Sequence, residues 1–255
     1  TLFIQVRNIM WSRKSGSRER DVWFTEENFE DEIESANRMG ESINIKGKQK
    51  PTKDQLKRLF NVLRGHGIRV NMTINLQHCK LDKENLVALA ESLVSSDQNR
   101  KHVTSIDLEG NNIDVDGIAA LSSAFKSLQL RSVNLTNNRI GTEGFTQLLI
   151  ALQHHKGLEI IKVDNNGIVI QPSVIKYLQP FSVSCQELYL NGNSIDEGAG
   201  KAFAEVLKTF TVLTTLELSG RKEYKNGRLK ITPNIPSNVV GDMVAALGSL
   251  TALTS

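Results

Sequence analysis

The residues best placed to do chemistry are few, and their spacing argues against most of it. Asn112-Ile113-Asp114-Val115-Asp116-Gly117 opens like a calcium loop, with oxygen ligands at alternate positions and a glycine at the sixth. The twelfth position is Ser123 instead of the bidentate Glu such a loop needs, and a repeat described below accounts for the same residues, so no calcium is expected. His154 and His155 are adjacent. On a helix they would point about 100° apart, and no Cys or acid completes a zinc spacing, so both read as surface histidines. No phosphate loop, G-x-S-x-G elbow or H-E-x-x-H motif occurs. Cys79 and Cys185 are too few for a disulfide framework. The sequons at Asn71-Met72-Thr73 and Asn134-Leu135-Thr136 are of a number expected by chance. The chain is therefore expected to be no enzyme and to carry no metal or cofactor.

Composition bounds the rest. The 255 residues are 39% hydrophobic and 23% charged, which supports a large core and excludes a collagen-like or wholly disordered chain. No apolar run approaches the roughly 18 residues of a membrane helix. The apolar opening Thr1 to Met10 is short, has no small-residue cleavage site behind it and is not read as a signal peptide. A net charge of +3 is too small to argue for nucleic acid. Charge is segregated, however: residues 21 to 34 carry seven acids and no base, and residues 46 to 69 carry eight bases against Asp54. These blocks read as solvated faces that partly neutralise each other.

The elements that must position any site come from a repeat. Ile74, Ile106, Val133, Ile161, Leu188 and Leu216 are separated by 32, 27, 28, 27 and 28 residues. Two positions after each stands Leu76, Leu108, Leu135, Val163, Leu190 or Leu218, and three further on come Cys79, Asn111, Asn138, Asn166, Asn193 and then Arg221. Leu81, Ile113, Ile140, Ile168 and Ile195 follow by another two. The paired aliphatics make a short strand with both side chains inward. Where the chain then turns away, backbone groups are left buried, and an Asn amide can satisfy both donors and acceptors. Asn137, one residue before that column, reads as an ordinary outward-facing residue. Ten and fourteen residues after the column come Leu89 and Leu93, Leu121 and Phe125, Leu148 and Leu152, Phe203 and Leu207, the inward face of a helix. In the fourth repeat Pro172 opens the helix and Pro180 takes the second core position, so that helix should end early.

These columns, L-x-x-L-x-L-x-x-N/C-x-L, resemble the leucine-rich repeat family, and the helical second halves resemble its ribonuclease-inhibitor subgroup. The resemblance runs from about Ile68 to the C-terminus. It implies an α/β solenoid (horseshoe) of about six coils, with a parallel concave sheet and convex helices. Cys79 replaces Asn as the family pattern allows, which makes it a buried structural thiol. Residues 1-67 are then an N-terminal flanking region with a helical cap at 51 to 64, where Thr52 and Gln55 form a capping-box pair ahead of Leu56, Leu59, Phe60 and Leu63. Within this region Leu2 to Met10 could form a strand, and Lys14 to Arg20 reads as a loop. Residues 68-255 are the repeat domain. It is interrupted at 221-236 by a hairpin-like insertion centred on Asn226-Gly227 and closed by a helix from Val239 to Leu250.

Function is then expected on surfaces. Strand residues outside the two buried columns form three outward rows: Thr73, Ser105, Ser132, Ile160, Glu187, Thr215; then Asn75, Asp107, Asn134, Lys162, Tyr189, Glu217; then Gln77, Glu109, Thr136, Asp164, Asn191, Ser219. Five acids stand there against the single base Lys162, on a chain that is basic overall. Asp107, Glu109, Ile160, Lys162, Asp164, Glu187, Tyr189 and Glu217 are the candidate partner-binding residues, with Ile160 and Tyr189 as an apolar centre. Lys222, Tyr224, Lys225, Arg228 and Lys230 of the insertion form a second, basic candidate. The expected function is a non-enzymatic scaffold, monomeric alone, that recognises a partially basic protein and binds neither nucleic acid nor membrane. A GTPase-activating protein resembling the Ran GTPase activator is one alternative. Another is a secreted bacterial effector that engages a host protein. The expected location is intracellular (cytoplasmic), or the cytosol of a host cell for an effector.

Overall fold

The computed structural model of the chain describes residues 5–7, 19–23, 29–46, 50–52, 54–56, 58–59, 69–95, 97–225, 228–232, 235–237, 240–248 and 250. Its strands are β1 (Gln5–Arg7), β2 (Glu19–Trp23), β3 (Ser42–Lys46), β4 (Met72–Asn75), β5 (Val103–Asp107), β6 (Ser132–Asn134), β7 (Ile160–Lys162), β8 (Val169–Ile170), β9 (Glu187–Tyr189), β10 (Ser194–Ile195), β11 (Thr215–Glu217), β12 (Arg221–Lys225) and β13 (Arg228–Thr232). Nine of them form one sheet in the order β1-β11-β9-β7-β6-β5-β4-β3-β2. All neighbours in it are parallel except β1, which runs antiparallel to β11. Sequence order and spatial order coincide from β2 to β11, apart from the short outlying β8 and β10, so each coil lies on the one before it. This is a leucine-rich repeat α/β solenoid.

The register matches the sequence columns. Ile74 pairs with Ile106, Ile106 with Val133, Val133 with Ile161, Ile161 with Leu188 and Leu188 with Leu216. All six side chains are buried, as are the aliphatic residues two positions on. The helical partners Leu89, Leu93, Leu121, Phe125, Leu148, Leu152, Phe203 and Leu207 meet them from the other side. A helix is about 10 Å across and strands are about 4.8 Å apart, so stacking coils of this kind makes the sheet the inner side of the curve. In the fourth coil the helix is cut to Pro172–Ile175, and Pro180 lies in the 3-10 turn Gln179–Phe181.

The Asn column forms a continuous ladder. Asn138 Oδ1 accepts from the backbone N of Asn111 at 3.0 Å and of Ile113 at 2.9 Å. Its Nδ2 donates to the carbonyls of Leu108 at 3.0 Å and Leu135 at 2.9 Å. Asn193 does the same one coil pair later, for Asn166 and Ile168 on one side and for Val163 and Leu190 on the other. Asn111 and Asn166 reach back to the carbonyls of Leu76 and Leu135. Cys79 is buried in the same place, its Sγ 3.4 Å from the Gln77 carbonyl, and burial pushes its thiol up to about 11.

Asn137 is no ordinary surface residue. Its φ is 57°, and His78, Gly110, Asn165 and Gly192, each just before the column, are also left-handed. The tight turn off each strand requires that conformation, which Gly and Asn tolerate best. Asn137 further donates to Glu109 at 3.0 Å and accepts from Asn165 at 3.0 Å.

The sheet continues upstream of residue 68. Ile45 pairs with Ile74 and Val22 with Ile45, so β3 and β2 place the same kind of buried residue in the same column. The helix Phe29–Met39 lies between them and buries Ile33 and Ala36. Thr52 and Gln55 form the expected reciprocal cap, at 2.9 and 3.1 Å, ahead of buried Leu56 and Leu59. Phe60, Leu63 and residues 14 to 18 of the expected loop lie outside the described residues, while Glu19 and Arg20, expected in that loop, open the strand β2. The two charge blocks meet where Lys46 pairs with Asp21 at 2.5 Å. At the other end, the helix Val240–Gly248 buries Met243 and Ala246.

Candidate functional site

The outward rows also align as the sequence implies. Thr73, Ser105, Ser132, Ile160, Glu187 and Thr215 are register partners in turn, and so are Asn75, Asp107, Asn134, Lys162, Tyr189 and Glu217. Asp107, Glu109, Ile160, Lys162, Asp164, Glu187, Tyr189 and Glu217 are all half-buried. Thr215 departs from its row: it is buried, in the strand that β1 covers.

The polar side chains sort into two groups. In the first, around β5, the Asp107 carboxylate accepts from Glu109 N at 3.1 Å, Gln77 Nε2 at 2.5 Å and Asn134 Nδ2 at 3.0 Å. Asn134 in turn holds Thr136 N through its Oδ1 at 3.0 Å. This pattern, a side-chain oxygen accepting from the N–H two residues on, fixes the ends of β4, β5 and β6 through Asn75, Asp107 and Asn134. Asp107 therefore has a structural task as well as an exposed edge.

The second group is centred on Tyr189. Lys162 Nζ stands 4.5 Å from the centre of the Tyr189 ring, on its face, and the Tyr189 hydroxyl donates to Glu187 Oε2 at 2.9 Å. The aromatic is clamped at face and tip, so it is less exposed than the sequence suggests and is already ordered. Next to it, Asp164 Oδ1 accepts from Asn191 N at 2.5 Å, Asn191 Nδ2 donates to Glu217 Oε2 at 2.6 Å, and Ser219 N donates to Asn191 Oδ1 at 2.7 Å. Burial pushes the Asp164 carboxyl up to about 6, and the Glu217 charge adds to the rise; the Asn191 N–H and the Lys162 charge oppose it. Asn191 is the connecting residue that sequence reasoning passed over. Its place in the third outward row was visible, but which of its neighbours it would bond was not.

The insertion is a hairpin, as expected, and pairs Tyr224 with Leu229, Lys225 with Arg228 and Glu223 with Lys230. The side chains of Lys222, Tyr224, Lys225, Arg228 and Lys230, and the Asn226-Gly227 turn, lie outside the described residues. Among the described residues no three His, Cys, Asp or Glu side chains are grouped as metal ligands, and no helix is long and apolar enough to cross a membrane.

Comparison with known proteins agrees with the columns. A family model described as Leucine Rich repeat matches residues 100–122 and 127–147, which hold β5, β6 and most of the helices that follow them. No curated protein matches the chain. A solved structure from a structural-genomics study of Caenorhabditis elegans, the tropomodulin C-terminal domain, is similar at 17% identity with a TM-score of 0.45, over 76% of this chain and 92% of that one. Two successive central coils thus match the leucine-rich repeat family, and the same columns run through their neighbours.

Proposed function

We propose that the chain is a protein-recognition scaffold whose sheet face receives a partially basic surface of a protein partner. The clamped Tyr189 is the observation that carries this reading. An aromatic held between Lys162 and Glu187 loses little further freedom on binding, and ordered, half-buried aromatics are the residues that dominate interface energies. Around it Glu187, Glu217 and Asp164 leave an acidic surround in which the one base, Lys162, is already engaged on the ring. Such an arrangement steers a basic partner and then holds it. Leucine-rich repeats in general mediate contacts between proteins, which supports the class of function and leaves the partner to its chemistry.

Affinity capture with the wild-type chain and with a Glu187→Lys/Glu217→Lys chain tests the reading. Proteins retained by the first at low salt should be lost from the second, while both remain folded. Retention of the same proteins by both chains would remove the sheet face from consideration.

A further inference from the structure

On the edge of the solenoid, away from the outward rows, the loops leading into β6 and β7 enclose a cleft of about 350 Å³. It is lined by Lys126, Arg131, His154, His155 and Lys156 over a floor that includes buried Leu128. Cations here could simply complement the carbonyl ends of the helices Val115–Ser127 and Gly141–Leu152. At one carbonyl of each helix end the hydrogen bond comes from His155 instead. The Phe125 carbonyl is taken by His155 Nε2 at 2.5 Å, and the Leu152 carbonyl by His155 N at 3.0 Å. A carbonyl can only accept, so Nε2 carries the proton, and His155 is the capping residue.

The lysines are thereby left without a structural partner. Arg131 pairs with Glu159 at 2.8 Å, but among the described residues neither Lys126 nor Lys156 meets a carboxylate. Nor does the repeat demand the charge of Lys126: at the same place after the Asn/Cys column the first coil has Val94 and the third Gln153, and Lys208, which stands there in the fifth, is paired with Glu205 at 2.7 Å.

We infer that this cleft binds a phosphate group carried on a side chain of a protein partner. Its cations come from two adjacent coils and converge on one opening, which suits a compact dianion better than a spread run of carboxylates. Lysine serves as a point charge for phosphate, and the Arg131 guanidinium, held by Glu159 through Nη1, offers its remaining N–H groups. A lipid surface fits less well, because the described exposed large apolar residues, Met39, Val87, Val183 and Val244, lie elsewhere. The site is independent of the sheet-face reading and survives its failure.

The test follows the His155 ring signals of the full chain by NMR while N-acetyl-phosphoserine amide is added. A saturable shift is expected, with the His155 titration midpoint moving upward, because a dianion nearby favours the protonated ring. N-acetyl-serine amide should give neither effect. Binding should weaken about tenfold or more in Lys126→Gln/Lys156→Gln, with the melting temperature unchanged. The single Lys156→Gln should fall between the two. Equal responses to the two amides, or unchanged affinity in the variants, would overturn the assignment. So would saturable binding to phosphatidylcholine/phosphatidylserine vesicles with no response to the phosphoserine probe.

Discussion

Asn138 and Asn137 are adjacent, share a side chain and do different things. Asn138 satisfies two backbone N–H groups and two buried carbonyls, so Asn138→Ala should cost about 1–3 kcal/mol for each group that water cannot reach. Asn137→Gly keeps the left-handed turn and loses only exposed contacts, about 0.5 kcal/mol or less by the usual behaviour of surface changes. Asn137→Ala should lie between them, at about 1 kcal/mol, since Ala lacks the short polar side chain that lets Asn tolerate φ 57°. Denaturant melts of the three variants check the order. The Asn column was legible because its spacing repeats. The left-handed row beside it was not, because Gly110, Asn137, Asn165 and Gly192 share a backbone conformation and no side-chain pattern. The thiols give a second residue-level outcome. Cys79 and Cys185 are both free and buried, and burial pushes them up to about 11 and 12, so almost no thiolate exists at pH 8. Iodoacetamide followed by intact mass should show no modification of either cysteine in the native chain, and rapid modification in denaturant. Prompt native labelling of either would mean that its coil is open.

Between elements, Gly117 stands where one helix packs tightly on the helix of the preceding coil. A Cβ there would stand 2.7 Å from Ile113 Cγ2 and 2.9 Å from Leu86 Cδ1, in the helix Lys83–Val94 of the preceding coil. Gly117→Ala should therefore destabilise by about 1–3 kcal/mol through overpacking. Gly241 lies in the closing helix with nothing within 4 Å, and Gly241→Ala should stabilise by about 0.5–1 kcal/mol. Thermal melts with opposite signs for the same substitution are the expected outcome. Most elements could be read before the structure, since each repeat states its strand and helix with five columns. β2 and β3 could not. Ile43 and Ile45 alternate as a strand should, and Ile45 precedes Ile74 by 29 residues, but no Asn follows them to mark the turn. Without that residue a coil looks like any half-buried strand, and the structure supplied the rest of the sheet.

Across the whole molecule, the acidic face should be sensitive to pH because Asp164 titrates near 6 in place of the usual 3.8. Between those values the folded chain holds a proton that the unfolded chain has released. This group's contribution to stability is thus greatest below about 4 and is lost as pH rises through about 6. Asp164→Asn, which keeps the acceptor for Asn191, should raise the melting temperature at pH 7 and leave it nearly unchanged at pH 4. The rows of the face were legible, since alternation alone assigns them. The clamp on Tyr189 and the Asp164–Asn191–Glu217 chain were not, because they depend on side chains from different coils meeting at bonding distance. The most direct test of the recognition scaffold is a kinetic one on a captured partner. Tyr189→Ala should raise the dissociation rate by about 30-fold, as loss of roughly 2 kcal/mol implies. Glu187→Lys/Glu217→Lys should lower the association rate and flatten its salt dependence, and deletion of residues 222 to 231 should change neither rate appreciably. Abolition of binding by the hairpin deletion, with normal kinetics in the Tyr189 and Glu variants, would contradict the account and move recognition to the basic insertion.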